Sequence, residues 1–143
     1  MSEIAASLVP VTKQQAQLLL EAGYVWMDMG QFDKAKEVFA GTAALMPKSE
    51  IPQIALGTLE FAQGQKEKAL QLYRAAQKLA PKSGLPRAHA GEILLFMGKV
   101  PEAMKELQAA IELEPEGDGA RLARALLEAR EAGALPPKDL KKK

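Results

Sequence analysis

The sequence predicts an all-α protein, a solenoid of three helix pairs with one further helix that caps its C-terminal end. The first observation is a repeat, because the same residue types return every 34 residues in several columns at once. The second is that each repeat holds two apolar segments, separated by a glycine and closed by a proline, the residues that break and stop helices. The columns are Gly23, Gly57 and Gly91; Gly30, Gly64 and Gly98; Ala35, Ala69 and Ala103; and Pro47, Pro81 and Pro115.

The same columns indicate how the two helices of one repeat pack. Small residues at facing positions let two helix backbones approach closely, and a bulky residue fills the gap that remains between them. The bulky column holds Phe39, Tyr73 and Leu107. In the middle repeat we therefore expect Gly57 at the helix contact, with Ala69 opposite.

This pattern resembles the tetratricopeptide repeat, whose unit is a pair of antiparallel helices. The resemblance implies a right-handed superhelical solenoid with repeats at 16–49, 50–83 and 84–117. One column departs from the family pattern, because the bulky position late in the first helix holds Trp26 and Leu94 but Glu60 in the middle repeat. We expect Phe61 to take over that packing.

The first helix pair has clear local signals. Residues 1–11 are a short arm that Pro10 separates from the rest, and the single domain is expected to cover 12–133. Thr12 and Gln15 fit a capping box, so a helix is predicted from Lys13 to Met29. Gly30 ends it, and the antiparallel partner is predicted over 33–46.

Prolines and serines mark the later helix starts. Pro52, Pro86 and Pro101 lie where a missing N–H is tolerated, and Ser49 and Ser83 are candidate caps. After a spacer at 117–119, the alanine- and leucine-rich stretch 120–132 is predicted to cover the exposed face of the third repeat. Residues 134–143 are expected to form a flexible basic tail. The predicted helices of repeats two and three are 52–63, 66–79, 86–97 and 101–113.

Composition excludes several classes of function. The chain has 143 residues, of which 48% are hydrophobic, enough for one domain with a real core. Its 19 basic and 18 acidic residues give a net charge of +1, whereas a nucleic-acid partner requires a basic stripe. Cysteine is absent, the start lacks signal-peptide character, and no apolar stretch reaches the roughly 18 residues that span a bilayer. We expect a soluble, cytoplasmic protein.

Groups for catalysis are scarce. His89 is the only histidine, and the glycines follow the repeat instead of forming a phosphate-binding loop. Acidic residues such as Glu37 and Glu67 lie among lysines on expected outer faces, where they act as solvated charges. The sequence therefore predicts no enzymatic activity, no cofactor and no metal site.

The family resemblance implies that partners bind to the concave surface, which the first helix of each repeat lines. The family's groove-facing positions are largely apolar here, and such a surface is unusual unless something fills it. We therefore expect a protein or peptide partner with an apolar extended or helical segment, and homodimerisation is left open. The candidate partner-binding residues are Leu20, Tyr24, Met27, Ile51, Ile54, Thr58, Phe61, Leu85, Ala88, His89, Glu92, Leu95 and Phe96.

Two uses of the family can be compared. Co-chaperones of this class grip a C-terminal carboxylate with lysine, asparagine and arginine. The chain is more similar to the tetratricopeptide class of type III secretion chaperones, which hold a needle or translocator subunit in an apolar groove. A generic adaptor or assembly factor for another bacterial multiprotein machine is the alternative. At the positions that build the carboxylate clamp this chain has Leu20, Tyr24, Ala55, Leu85 and His89.

Overall fold

The computed structural model describes residues 11–137, in which seven helices and no strand are present. The helices pack in sequence-adjacent pairs, the second helix of each pair contacts the first helix of the next, and the last helix contacts both helices of the third pair. This arrangement confirms the predicted all-α solenoid. The helices are α1 (Lys13–Asp28), α2 (Phe32–Leu45), α3 (Ile51–Ala62), α4 (Lys66–Leu79), α5 (Leu85–Phe96), α6 (Val100–Leu113) and α7 (Asp118–Glu131).

Local signals in the sequence fix the helix ends. Gly30, Gly64 and Gly98 join the helices within each pair at φ values of 76°, 80° and 77°, which side chains disfavour and glycine tolerates. The Thr12 hydroxyl accepts from the Gln15 backbone N–H at 3.1 Å, and the Gln15 side chain accepts from the Thr12 backbone N–H at 3.0 Å. The capping box is therefore confirmed.

The two serines predicted as caps both precede the N-cap residues, which are Glu50 and Gly84, and they differ in their contacts. The hydroxyl of Ser49 accepts from the backbone N–H of Ile51 at 3.2 Å, at the start of α3. Helix α5 begins after Gly84 without a side-chain cap. The prediction of a cap at Ser83 is wrong, because the chain turns into α5 directly at the glycine.

The glycine column faces the side chains of the bulky column. A Cβ built on Gly57 would lie 2.6 Å from the ring of Tyr73, and one built on Gly91 would lie 2.6 Å from the side chain of Leu107. Tyr73 and Leu107 are fully buried. Gly57 does lie at the helix contact, as expected, and the nearest atoms to its built Cβ belong to the ring of Tyr73, which is one helical turn from Ala69 on the same face of α4.

At the departure in the middle repeat, Glu60 and Phe61 have separate contacts. The Glu60 carboxylate lies 3.9 Å from the ammonium of Lys36, towards the first repeat. Phe61 packs on the buried core of the middle repeat, as expected, and also edge-to-face on Phe96 of the third repeat, with ring centroids 5.0 Å apart.

Helix α7 closes the C-terminal end. Its start at Asp118 is two residues before the predicted one, and Gly119 lies against the backbone of Gly84 and Leu85. Leu135 lies within the predicted tail, 134–143, but it packs on the core that α5, α6 and α7 share. The arm residues 1–10 and the tail residues 138–143 lie outside the described residues. Among residues 11–137 no helix is long and apolar enough to cross a membrane.

Candidate functional site

The first helices of the three pairs, α1, α3 and α5, lie side by side and contact one another in that order. Each is amphipathic, with one side packed on its partner helix and another left partly open. We call the surface that these three helices form the inner groove. All thirteen predicted partner-binding residues are on these helices.

The structure divides the thirteen residues by depth. Ile54, Ala88 and Leu95 are at most 5% exposed, so they support the groove from the core and offer no surface to a partner. Ile51 is 38% exposed and is the most open of the set. The remaining nine are half-buried: Leu20, Tyr24, Met27, Thr58, Phe61, Leu85, His89, Glu92 and Phe96.

A chain of polar contacts crosses the centre of the inner groove. The hydroxyls of Thr58 and Tyr73 are 3.0 Å apart, the Tyr73 ring stacks on His89 at 5.0 Å, and His89 Nδ1 lies 3.4 Å from a carboxylate oxygen of Glu92. Burial raises the pKa of Tyr73, and the nearby charge of Glu92 raises it further, while the hydrogen bond to Thr58 lowers it. Tyr73 is therefore a neutral phenol under the groove floor.

Sequence reasoning missed Tyr73 as part of this site, because it is on α4, the second helix of its pair. Its ring reaches the inner groove because Gly57 has no side chain to block it. The signal was present in the spacing: the bulky column follows the glycine column by 16 residues in every repeat.

Aromatic and apolar side chains flank the polar centre. On one side, one helical turn beyond Thr58 and Glu92, Phe61 and Phe96 form their edge-to-face pair. In the first repeat, Tyr24 packs edge-to-face on the buried Phe39 with centroids 5.0 Å apart. Burial raises the pKa of Tyr24 as well, so its hydroxyl is also neutral.

On the other side of the polar centre, an open cleft of about 470 Å³ lies between α1, α3 and the loop that joins the first two repeats. Leu20 and Ile51 line it from the helices, and Met46 lines it from the loop. Lys13 and Glu50 carry opposite charges in the same lining. The repeat pattern could not predict that the loop lines the cleft, because this depends on how the loop folds back towards α1 and α3.

The side chains of the inner groove can bind but offer no evident chemistry. Among residues 11–137, no group of three or more histidine or acidic residues is placed to hold a metal ion. His89 contacts a tyrosine ring and a glutamate. What the arrangement can do is take up apolar side chains on both sides of a polar centre.

Comparison with known proteins gives a family match for part of the chain and similar folds for most of it. Residues 15–84 match the family model of the tetratricopeptide repeat, whereas no curated protein sequence matches the chain significantly. SycD, a type III secretion translocator chaperone of Yersinia enterocolitica, is 25% identical, with 87% of this chain and 96% of SycD covered and a TM-score of 0.72.

Two complexes are also similar in fold. SycD of Yersinia enterocolitica with a peptide of the translocator YopD aligns over 92% of this chain and 98% of that one, at 24% identity and a TM-score of 0.65. PcrH, known from Pseudomonas aeruginosa, bound to the chaperone binding region of PopB, aligns over 81% and 94%, at 21% identity and a TM-score of 0.66. Residues 15–84 therefore match the tetratricopeptide repeat, and the fold of the chain resembles that of the type III secretion chaperones SycD and PcrH.

Proposed function

We propose that the protein is a chaperone that holds an apolar segment of a partner protein in its inner groove before that partner is exported. The observation that carries the proposal is the set of half-buried apolar side chains on α1, α3 and α5, on a fold similar to SycD over 87% of this chain. The partner class is a subunit of a type III secretion system. A translocator is favoured over a needle subunit, because the similar complexes hold segments of YopD and PopB.

Physical chemistry supports a holding role. An apolar segment that is exposed before assembly aggregates, and burial of its side chains removes that hazard. The groove provides rigid aromatic rings at Phe61 and Phe96 and a flexible thioether at Met27, which together suit an apolar partner surface. A chaperone that acts before export works in the cytoplasm and needs no catalytic group.

The test measures binding of the translocator subunits of the organism's own secretion system. A variant with Tyr24→Ala and Phe61→Ala removes two aromatic rings from the groove. Truncation of a buried anchor typically costs about 2 kcal/mol or more, roughly thirtyfold in affinity. We expect the double variant to keep its helical circular-dichroism spectrum and to lose at least that much affinity in isothermal titration.

Two controls separate the groove from the rest of the surface. Leu79→Ala truncates an apolar side chain that is 41% exposed on α4, outside the groove. Lys36→Ala removes a charge from α2, where the side chain is 63% exposed. Both should bind as wild type does. If Lys36→Ala abolished binding while the double variant bound normally, the partner site would lie on the outer surface and the chaperone proposal would fail.

A further inference from the structure

Four acidic residues within 11–137 are half-buried, and two of them, Glu50 and Glu92, have no lysine or arginine within 4 Å, whereas the other two do. Glu60 has a side chain that is 13% exposed and pairs with Lys36. Glu106 has a side chain that is 14% exposed and pairs with two arginines, one of them at 2.6 Å. The Glu92 side chain is 23% exposed, and among residues 11–137 it has no lysine or arginine within 4 Å. Within these residues, no lysine or arginine therefore forms an ion pair with its carboxylate.

Within residues 11–137, the side chain that contacts the Glu92 carboxylate is His89. His89 Nδ1 lies 3.4 Å from the Glu92 carboxylate, a long distance for a hydrogen bond. An imidazole balances a carboxylate only when it is protonated. Tyr73 stacks on His89 and is a neutral phenol. The centre of the inner groove therefore holds a carboxylate with no lysine or arginine within 4 Å among residues 11–137, and a partner that covers it must meet that carboxylate.

Apolar side chains lie on both sides of Glu92 along the groove. Leu85 precedes it by two helical turns on α5, and Phe96 follows it by about one turn. On α3, Ile51 and Phe61 flank Thr58 in the same order. At a rise of 1.5 Å per residue, the apolar side chains at the two ends of the groove are about 15 Å apart along the helix axes. The groove is thus apolar, then polar and negative, then apolar.

We infer that the inner groove recognises a partner segment in which a lysine or arginine lies between two apolar anchors, and that Glu92 binds this cation. The inference rests on the proposed function and names the chemistry of the segment. A segment with a neutral side chain at the centre would bury Glu92 without a partner, and one with an acidic side chain would place two like charges together. Glu92 therefore selects segments mainly by rejecting those that lack the cation.

The first experiment uses a phage-displayed library of random peptides long enough to span the groove, selected on immobilised protein. We expect wild type to enrich peptides with a basic residue between two apolar ones. Glu92→Gln should still enrich the apolar residues but not the basic one. Glu37→Gln, which changes an exposed acid on α2, should select as wild type does. Circular-dichroism melts of both variants establish that they are folded.

The second experiment measures the coupling directly. One selected peptide and its variant with glutamine in place of the central basic residue are titrated by fluorescence anisotropy against wild type and Glu92→Gln. Hydrogen bonds to charged groups are worth roughly ten- to a hundredfold in an equilibrium constant. We expect the basic residue to raise affinity about tenfold for wild type, and not for Glu92→Gln.

The outcomes separate this inference from the proposed function. If no peptide were enriched over the bare support, the groove would not bind segments and the proposed function would fail first. If apolar peptides were enriched without a basic residue, the chaperone would stand and the role of Glu92 would be overturned. That role would be overturned as well if Glu92→Gln kept the preference for a basic residue.

Discussion

Helices α1 and α5 occupy the same place in the first and third repeats, but they are buried to very different degrees. Helix α1 buries only Ala16 and Gly23. Helix α5 buries seven residues, including Ile93, Leu94 and Leu95. The reason is their neighbours: α5 packs on α3, α4, α6 and α7, whereas within residues 11–137 α1 packs mainly on α2, with a smaller contact to α3. Position along the solenoid, and not the repeat pattern, decides how much of a helix is buried.

The exposed side of α1 carries the same columns that α5 buries. Leu18, Val25 and Met29 are 66%, 56% and 63% exposed. They lie on one face of the helix together with Ala22, at spacings of four, three and four residues. The residues of α5 in these columns are Pro86, Ala90, Ile93 and Met97, of which the first three are buried. Each repeat therefore has a face for the repeat before it, and in the first repeat that face is open within residues 11–137.

The largest expected effect comes from truncating the side chain at one repeat position, first in the third repeat and then, for comparison, in the first. Ile93→Ala opens a cavity in the core and should cost about 2–5 kcal/mol of unfolding free energy. Val25→Ala, in the same column of α1, should change it by no more than about 0.5 kcal/mol, because the side chain is already exposed. Urea denaturation followed by circular dichroism measures both values.

The only tryptophan makes the comparison sharper. Trp26 is on α1, so its fluorescence reports unfolding of the first repeat, whereas circular dichroism reports all helices. For wild type we expect the fluorescence transition at lower urea than the dichroism transition, because fewer contacts hold α1.

A loss of unfolding free energy for Val25→Ala as large as that for Ile93→Ala would contradict the first prediction. It would mean that the open face of α1 is covered in solution.

The second prediction concerns the contact inside a repeat, which should not depend on position along the solenoid. An added methyl group at Gly57 meets the fully buried ring of Tyr73 at 2.6 Å, so something must move. We expect Gly57→Ala to lower the unfolding free energy by about 1–3 kcal/mol. Thermal melts compare it with wild type. An unchanged melting temperature would mean that the helices of the middle repeat are further apart than in the structure.

The fold was predictable from sequence because its signals are local and repeated. The turn glycines, the helix-starting prolines and the capping box of Thr12 act within a few residues, and the 34-residue interval links them into one architecture. Contacts between helices were less predictable. The interval places Gly57, Ala69 and Tyr73 in the same repeat, but which of the two α4 residues comes nearest to the glycine depends on side-chain size, and the large ring of Tyr73 does.

The candidate site was predictable in position but not in depth. Family positions placed thirteen residues on α1, α3 and α5, but Ile54, Ala88 and Leu95 are covered by neighbouring helices and are core residues. Depth depends on how closely successive repeats pack, which no single repeat encodes. The lone charge of Glu92 was not predictable either, since it requires knowing that every lysine and arginine of the described chain lies elsewhere. Whether the half-buried residues bind a partner is the proposal that the binding experiments test.

The smallest predicted effect tests the open character of the first repeat from the opposite direction, by adding a side chain. Gly41 lies within α2, is exposed, and has no atom within 4 Å of a Cβ built on it, in contrast to Gly57. Alanine at a helical position with free space stabilises a protein by about 0.4–1 kcal/mol, because glycine loses more backbone entropy on folding. We therefore expect Gly41→Ala to raise the urea midpoint of the Trp26 transition without lowering that of the dichroism transition. A destabilised Gly41→Ala would show that a segment or a second molecule packs on α2 in solution, and the first repeat would then be closed as the third one is.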